Sequence, residues 1–419
     1  KEIEGLLSRS SFQGQLDINF HNNEIMGQMD FPRTDLADVA WIFDQVYQFP
    51  LSVNGAGQAR LRFEGPLNFW KLNYKVESNF TNGKIGTESF GKIQFNASAL
   101  DGNIKTDLVE IHKNNSVFKI NGQVSSTQKL KLSGRAEKLK LDESELINGI
   151  NSNIFGLLDF TADLGGSITE PRLDIQGKIT ETVIDEQEVP ESHFSLKVDR
   201  HAIEAKSQLF GERISGEIQW PFKTGNIPLK VDLKTRDWNF TQILSLFDAS
   251  FLQNEYQSQL SSDINLTSDN GDLFKSTGKI KIINAFIKRG PLTLQNSGLI
   301  EINANNGKIS LKNFDLKGQD NFLQLSGDDF TLDQLNLQLK ANVELRLIHM
   351  FLPFLEDLGG PAKGTASIVG SIFKPQLLGN AELHDVFIKL KGFPHPIEKI
   401  NTEVLFSHSK VIVQDIKAQ

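Results

Sequence analysis

The sequence predicts an all-β protein, a long and mostly antiparallel sheet built from repeats of about one hundred residues, each with one short amphipathic helix. Three observations predict it. Apolar and polar residues alternate with period two, Asn-Gly and Asp-Gly turn signals separate the alternating runs, and two markers recur in the same order at a near-constant spacing.

The alternation is clearest in five runs. RLDIQGKI places Leu173, Ile175 and Ile179 on one side; GKIKIINAF places Ile280 and Ile282 there; LIEINA places Ile300 and Ile302. KISLKNFDLKG alternates through Ile309 and Leu311, slips, and resumes at Phe314 and Leu316, and LNLQLKANVEL carries Leu335, Leu337 and Leu339. Half-buried strands read this way, because successive side chains point to opposite faces. These fourteen residues are the candidate lining of one greasy face. Turn signals at Asn82-Gly83, Asp101-Gly102, Asn121-Gly122, Asn270-Gly271, Asn306-Gly307 and Gly327-Asp328-Asp329 read as hairpins, so the sheet is a meander.

The first marker is a glycine motif. GSITEPRLDIQGKI (Gly166–Ile179) and GSIFKPQLLGNAEL (Gly370–Leu383) share their opening, and weaker copies centre on Gly65 and Gly271, giving steps of 101, 105 and 99 residues. The second marker is a segment with helical spacing that precedes each glycine: Thr34–Phe49, Leu141–Phe155, Arg236–Leu252 and Val343–Leu355. Each segment reads as packing an apolar stripe on the adjacent sheet. The chain therefore reads as one continuous array, with copies at 1–33 (partial), 34–140, 141–235, 236–342 and 343–419 (partial) and no linkers between them.

Composition narrows the function. Net charge is −8, with no basic cluster, which argues against nucleic acid. With no Cys, thiolate chemistry and disulfides are absent. The eight His residues form no metal-ligand spacing and read as surface or turn residues. No nucleophile elbow, P-loop or dinucleotide fingerprint occurs, so the chain reads as a non-enzyme that needs no cofactor. Phenylalanine is in excess, 30 Phe against 3 Tyr and 4 Trp, as a dry surface demands. No run approaches a membrane span; the chain opens on Lys1 and ends in a strand-like alternation, and reads as a piece of a longer protein.

Three covers for the greasy face are open: a second sheet, closure into barrels, or a ligand over an open trough. The absence of linkers and the helical segments favour a trough or barrel over a string of sandwiches.

The motif G-S-I-x-x-P-x-L (Gly166–Leu173, Gly370–Leu377), flanked by meander strands and preceded by a short amphipathic helix, resembles the TamB and AsmA-like family of Gram-negative bacteria. The ending FPHPIEKINTEVLFSHSKVIVQDIKA has the same cadence. The resemblance implies an elongated, taco-like β-groove with an apolar interior, in the periplasm and anchored in the inner membrane by a segment outside this sequence. It implies phospholipid acyl chains as ligand, transport of phospholipid towards the outer membrane, and an Omp85-type outer-membrane barrel as a partner of the missing part. The contrasting reading is a structural or adhesive surface protein of tandem β-sandwiches with no lipid.

Overall fold

Strand takes 77% of the described residues and helix 5%, because period-two patterning recurs almost throughout. The structure, a computed structural model, describes every residue except 1, 39–51, 69–70, 150–153, 185–186, 223–226, 241–255, 270, 348, 350–354, 408–409 and 418–419. The chain divides into two units, Lys1–Arg200 and His201–Gln419.

The first unit holds β1 (Glu2–Leu7), β2 (Ser10–Asn19), β3 (Glu24–Asp35), β4 (Val53–Pro66), β5 (Asn73–Ile85), β6 (Glu88–Leu100), β7 (Asn103–Lys113), β8 (Ser116–Val124), β9 (Leu130–Lys140), β10 (Ile154–Gly166), β11 (Pro171–Ile184), β12 (Gln187–Val189) and β13 (Ser192–Val198). Successive strands pair antiparallel, and β12 and β13 both pair with β11 as two halves of one interrupted strand. Between β9 and β10 lie a 3-10 turn, Leu141–Glu143, and the helix α1 (Glu145–Asn148).

The second unit holds β14 (Ala202–Leu209), β15 (Ile214–Pro221), β16 (Leu229–Trp238), β17 (Tyr256–Ser268), β18 (Thr277–Arg289), β19 (Leu292–Asn296), β20 (Ile300–Asn305), β21 (Lys308–Lys317), β22 (Phe322–Phe330), β23 (Leu335–Glu344), β24 (Leu355–Gly359), β25 (Pro361–Ser371), β26 (Lys374–Leu390), β27 (Ile397–Ser407) and β28 (Lys410–Lys417). Here β19 and β20 share β18 and β21 as neighbours, and β24 and β25 share β26. In neither unit does the last strand pair back onto the first among the described residues, so neither ladder closes into a barrel.

The helical segments are shorter than the periodicity suggests. Ile154–Phe155, Arg236–Trp238, Val343–Glu344 and Leu355 belong to strands, held by ladder hydrogen bonds that local helical spacing cannot outbid. Within the described residues the segments keep a helical start at 36–38, the turn and helix at 141–148 and a 3-10 turn at Leu345–Leu347; the remainder, 39–49, 150–153, 241–252, 348 and 350–354, lies outside them.

Several turn signals serve another purpose. Asn82-Gly83, Asn121-Gly122 and Gly327-Asp328-Asp329 all lie inside strands, with ladder pairs on both sides. Asn82 (φ 52°) and Asp329 (φ 54°) take the left-handed conformation, which accommodates an extra residue in a bulge as readily as it makes a hairpin turn. The slip between Leu311 and Phe314 is likewise a bulge, with Asn313 at φ 57°, and it returns Phe314 to the face of Leu311. The four marker glycines all have positive φ, at 127°, 85°, 73° and 88° for Gly65, Gly166, Gly271 and Gly370, and each stands where a strand gives way to its hairpin loop.

The phenylalanine excess has a packing cause. Phe12, Phe63, Phe80, Phe194 and Phe387 stand directly opposite Gly5, Gly27, Gly57, Gly177 and Gly359. At each of these glycines a Cβ would meet the ring within 2.4–2.8 Å. A flat ring laid over the bare backbone of its neighbour replaces the packing that the missing side chain would supply.

Gly57→Ala is expected to cost about 1–3 kcal/mol in urea unfolding, the range for overpacking. Its Cβ would stand 2.3 Å from the Asn79 carbonyl oxygen and 2.6 Å from the Phe80 ring. Gly165→Ala, with nothing within 4 Å of the added carbon, is the control, expected to shift stability by less than about 0.5 kcal/mol.

Candidate functional site: the apolar face of each unit

Cross-strand partners share a face, so the registers can be read as rows across the strands. In the first unit one row runs Met29, Leu61, Val76, Ala97, Thr106, Gly122, Leu132, Leu164, Leu173, Val198, each opposite the next. Beside it runs Phe31, Ala59, Ser78, Phe95, Val109, Ile120, Gly134, Ala162, Ile175, Leu196. Ile179 stands on this same face, opposite Leu158 and Ser192. Phe118 and Phe160 stack at 5.5 Å on either side of Ala136.

The second unit repeats the arrangement with aliphatic residues. Ile264, Ile280, Ile302 and Leu311 form one row, and Ser262, Ile282 and Ile300 the next. Ile309 faces Phe330, while Phe314, Leu325, Leu339 and Ala366 run across β21, β22, β23 and β25. Leu316 faces Leu323, Leu337 faces Ile368, and Leu335 faces Gly370. All fourteen candidate lining residues therefore stand on the apolar face of their unit.

Their exposure is uneven. Ile300, Leu311, Leu335 and Leu337 are buried in one cluster with Phe330, and Ile282, Ile302, Ile309, Phe314 and Leu316 pack against it. Leu173, Ile175, Ile179, Ile280 and Leu339 are half-buried. The face in the second unit thus partly covers itself, whereas no such cluster occurs among the described residues of the first. The sequence reading passed over most of the first unit's rows; the alternation of RLRF (Arg60–Phe63) and KIQFNASA (Lys92–Ala99) carried the signal.

The opposite face is wet. Asp30, Arg60, Glu77 and Asn96 form one row, with Arg60 Nε donating to Asp30 at 2.5 Å. Lys206–Glu217 and Arg236–Asp263 pair across strands at 3.1 and 2.6 Å. Exposed pairs of this kind contribute about 0–1 kcal/mol each and chiefly fix which face meets water.

The total accessible surface is 25065 Å². Two compact globules of half this mass would together expose about 20,000 Å².

The helix α1 reaches back to strands far from it in sequence. Glu88 Oε1 accepts from Ser144 Oγ and from the Leu146 N–H, both at 2.8 Å. Lys113, its side chain 8% exposed, donates to Glu88 Oε2 at 2.5 Å and also to Glu145. Contrary to the expected apolar stripe, α1 buries no side chain, and Leu146 is 59% exposed. Charge holds it, and the 3-10 turn before it buries only Leu141. Burial, the largest single influence, raises the Glu145 pKa, but the hydrogen bonds from Lys113 and its other neighbours together outweigh it and bring the carboxyl to about 2. One further expectation fails: His349 is buried, 5% exposed, rather than a surface or turn residue, and burial pushes its pKa down.

Among the described residues no group of three or more His, Asp or Glu side chains is placed to hold a metal, and no helix is long and apolar enough to cross a membrane. No family model, curated protein or solved structure matches the chain.

Because the Glu145 pKa is depressed in the folded protein, its contribution is complete above about 4.5 and is lost as pH falls towards 2. Amide-exchange protection at Leu146 is expected to decline over that window, ahead of the sheet. Lys113→Met is expected to show the same loss at neutral pH.

Proposed function

We propose that the chain is a segment of a lipid-conducting β-groove, with phospholipid acyl chains lying on the apolar face. The observation that carries this reading is the long row of the first unit, ten residues on successive ladder strands of which all but Thr106 and Gly122 carry apolar side chains. Each buried methylene gains about 0.8 kcal/mol, so a sixteen-carbon acyl chain gains on the order of 12 kcal/mol on leaving water. The polar head stays wet at the open side, and neighbouring positions along a uniform wall are nearly equal in energy, which lets the lipid slide.

The taco-like groove is assembled from copies of about one hundred residues, as the marker spacing suggests. The strand order supports this. Six strands, β4 to β9, lie between the first and second helical segments. With β12 and β13 taken as one interrupted strand, and β19 and β20 as another, the next two intervals also hold six each. The resemblance to the TamB and AsmA-like family places such a segment in the periplasm, non-enzymatic, part of a longer inner-membrane-anchored protein that moves phospholipid towards the outer membrane and meets an Omp85-type barrel there.

Val76 and Ile120 stand in the half-buried rows. A photo-crosslinking amino acid at either position is expected to capture phospholipid in cells, while one at the wet-face Arg60 or Lys105 is not. Equal labelling of both faces, or capture of protein alone at Val76 and Ile120, would favour the β-sandwich reading. Leu337 is unsuited to this test: as a buried cluster member, its change to Ala is expected to cost about 2–5 kcal/mol in stability.

A further inference from the structure

In the second unit two hairpin tips carry a phenylalanine followed by lysine, Phe274-Lys275 after β17 and Phe373-Lys374 after β25. Both stand along one long edge, with the end of β15, because an up-and-down meander sends alternate turns to alternate edges. Their neighbours confirm it. A Cβ on Gly271 would stand 3.1 Å from Pro221 Cγ, and one on Gly307, in the tip after β20, 2.7 Å from the Phe274 carbonyl oxygen. The Ile372 N–H donates to the Leu332 carbonyl in the tip after β22, at 2.7 Å.

These tips are apolar and uncovered. Leu273 is 40% exposed, Phe274 54%, Ile372 49% and Phe373 75%. Lys275 is 60% exposed and only 4.0 Å from the Asp272 carboxylate. The opposite edge of the same unit carries the turn at Leu345–Leu347 and polar turn residues such as Gly211-Glu212-Arg213 and Gly318-Gln319-Asp320, with Phe210 and the exposed Phe393 as its described aromatics.

We propose that this hairpin edge rests on the surface of an anionic phospholipid bilayer. Aromatic rings enter the boundary between headgroup and acyl chain, and a lysine beside each ring reaches the phosphates. The chemistry selects a membrane over a protein partner on two counts. Lysine is depleted from the cores of protein–protein interfaces. Separate tips along an edge suit a fluid surface that needs no matched shape. A lysine follows the phenylalanine at each of these tips, unopposed among the described residues at the tip after β25 and set against Asp269 and Asp272 at the tip after β17. The surface is distinct from the apolar face and stands whether or not that face carries lipid.

The test is flotation of the full chain with vesicles of phosphatidylcholine, alone or mixed with phosphatidylglycerol. Binding to the mixed vesicles is expected. Phe274→Ser together with Phe373→Ser is expected to weaken it about tenfold or more through lost apolar burial. Lys275→Gln and Lys374→Gln are each expected to weaken it about fivefold and to reduce the preference for phosphatidylglycerol. Phe393→Ser, on the opposite edge, is expected to leave it unchanged. No flotation with either vesicle, or equal flotation of the wild type and both sets of variants, overturns the proposal. So does a crosslinker at Phe373 that captures protein and never lipid. Phospholipid retained from cells by the serine variants would show that a failure here leaves the groove reading intact.

Discussion

An apolar side chain on these ladders meets first its cross-strand and same-strand neighbours, and that constraint shapes both units. The registers align apolar residues with apolar residues over strand after strand, so a slip of one residue anywhere would turn a whole strand inside out. Bulges such as the one at Asn313 keep the phase where a strand bends. Rings laid over opposing glycines supply packing that no second layer provides.

What the sheet lacks in layers it recovers at its edges. The segment from Leu141 to Asn148 ties the end of β9 to β6 and β7 through Glu88, Lys113 and Glu145. In the second unit the turn at Leu345–Leu347 does comparable work with different chemistry. Leu347 is buried with Leu294 and Val343. The Tyr256 hydroxyl donates to the Arg346 carbonyl at 2.5 Å, and the Arg346 and Arg289 guanidiniums lie over Phe387 and Tyr256. Each crossing segment thus fastens strands several positions apart in the meander, which limits how far the open sheet can splay. Such fastenings matter more here than in a layered fold, where the opposing sheet would fix the curvature.

Strand identity, antiparallel order and the greasy face were legible in the sequence because period two is a direct image of the pleat. Even the slip before Phe314 was visible as a slip. Turns were less legible: Asn82-Gly83 and Asn121-Gly122 carry the residues of a hairpin yet sit within strands, and at Asn82 the positive φ serves a bulge equally well. The crossing segments misled for another reason. Helical spacing at Arg236–Trp238 and Val343–Glu344 is local, whereas the ladder bonds that hold these residues extended come from partners elsewhere in the chain. The Lys113 fastening was hidden because its carboxylates lie 25 and 32 residues away. The self-packed cluster around Ile300 was hidden too, since alternation reports which face a residue takes and not how closely the strands gather around it.

The account rests on hydrocarbon occupying a protein surface that no protein layer covers. Native mass spectrometry of the intact chain, purified without detergent, measures this directly. The account predicts a ladder of masses above the bare chain, spaced by whole phospholipids and collapsing to the bare mass after activation. A single species at the mass of the polypeptide, with no lipid recovered from it, would contradict the account.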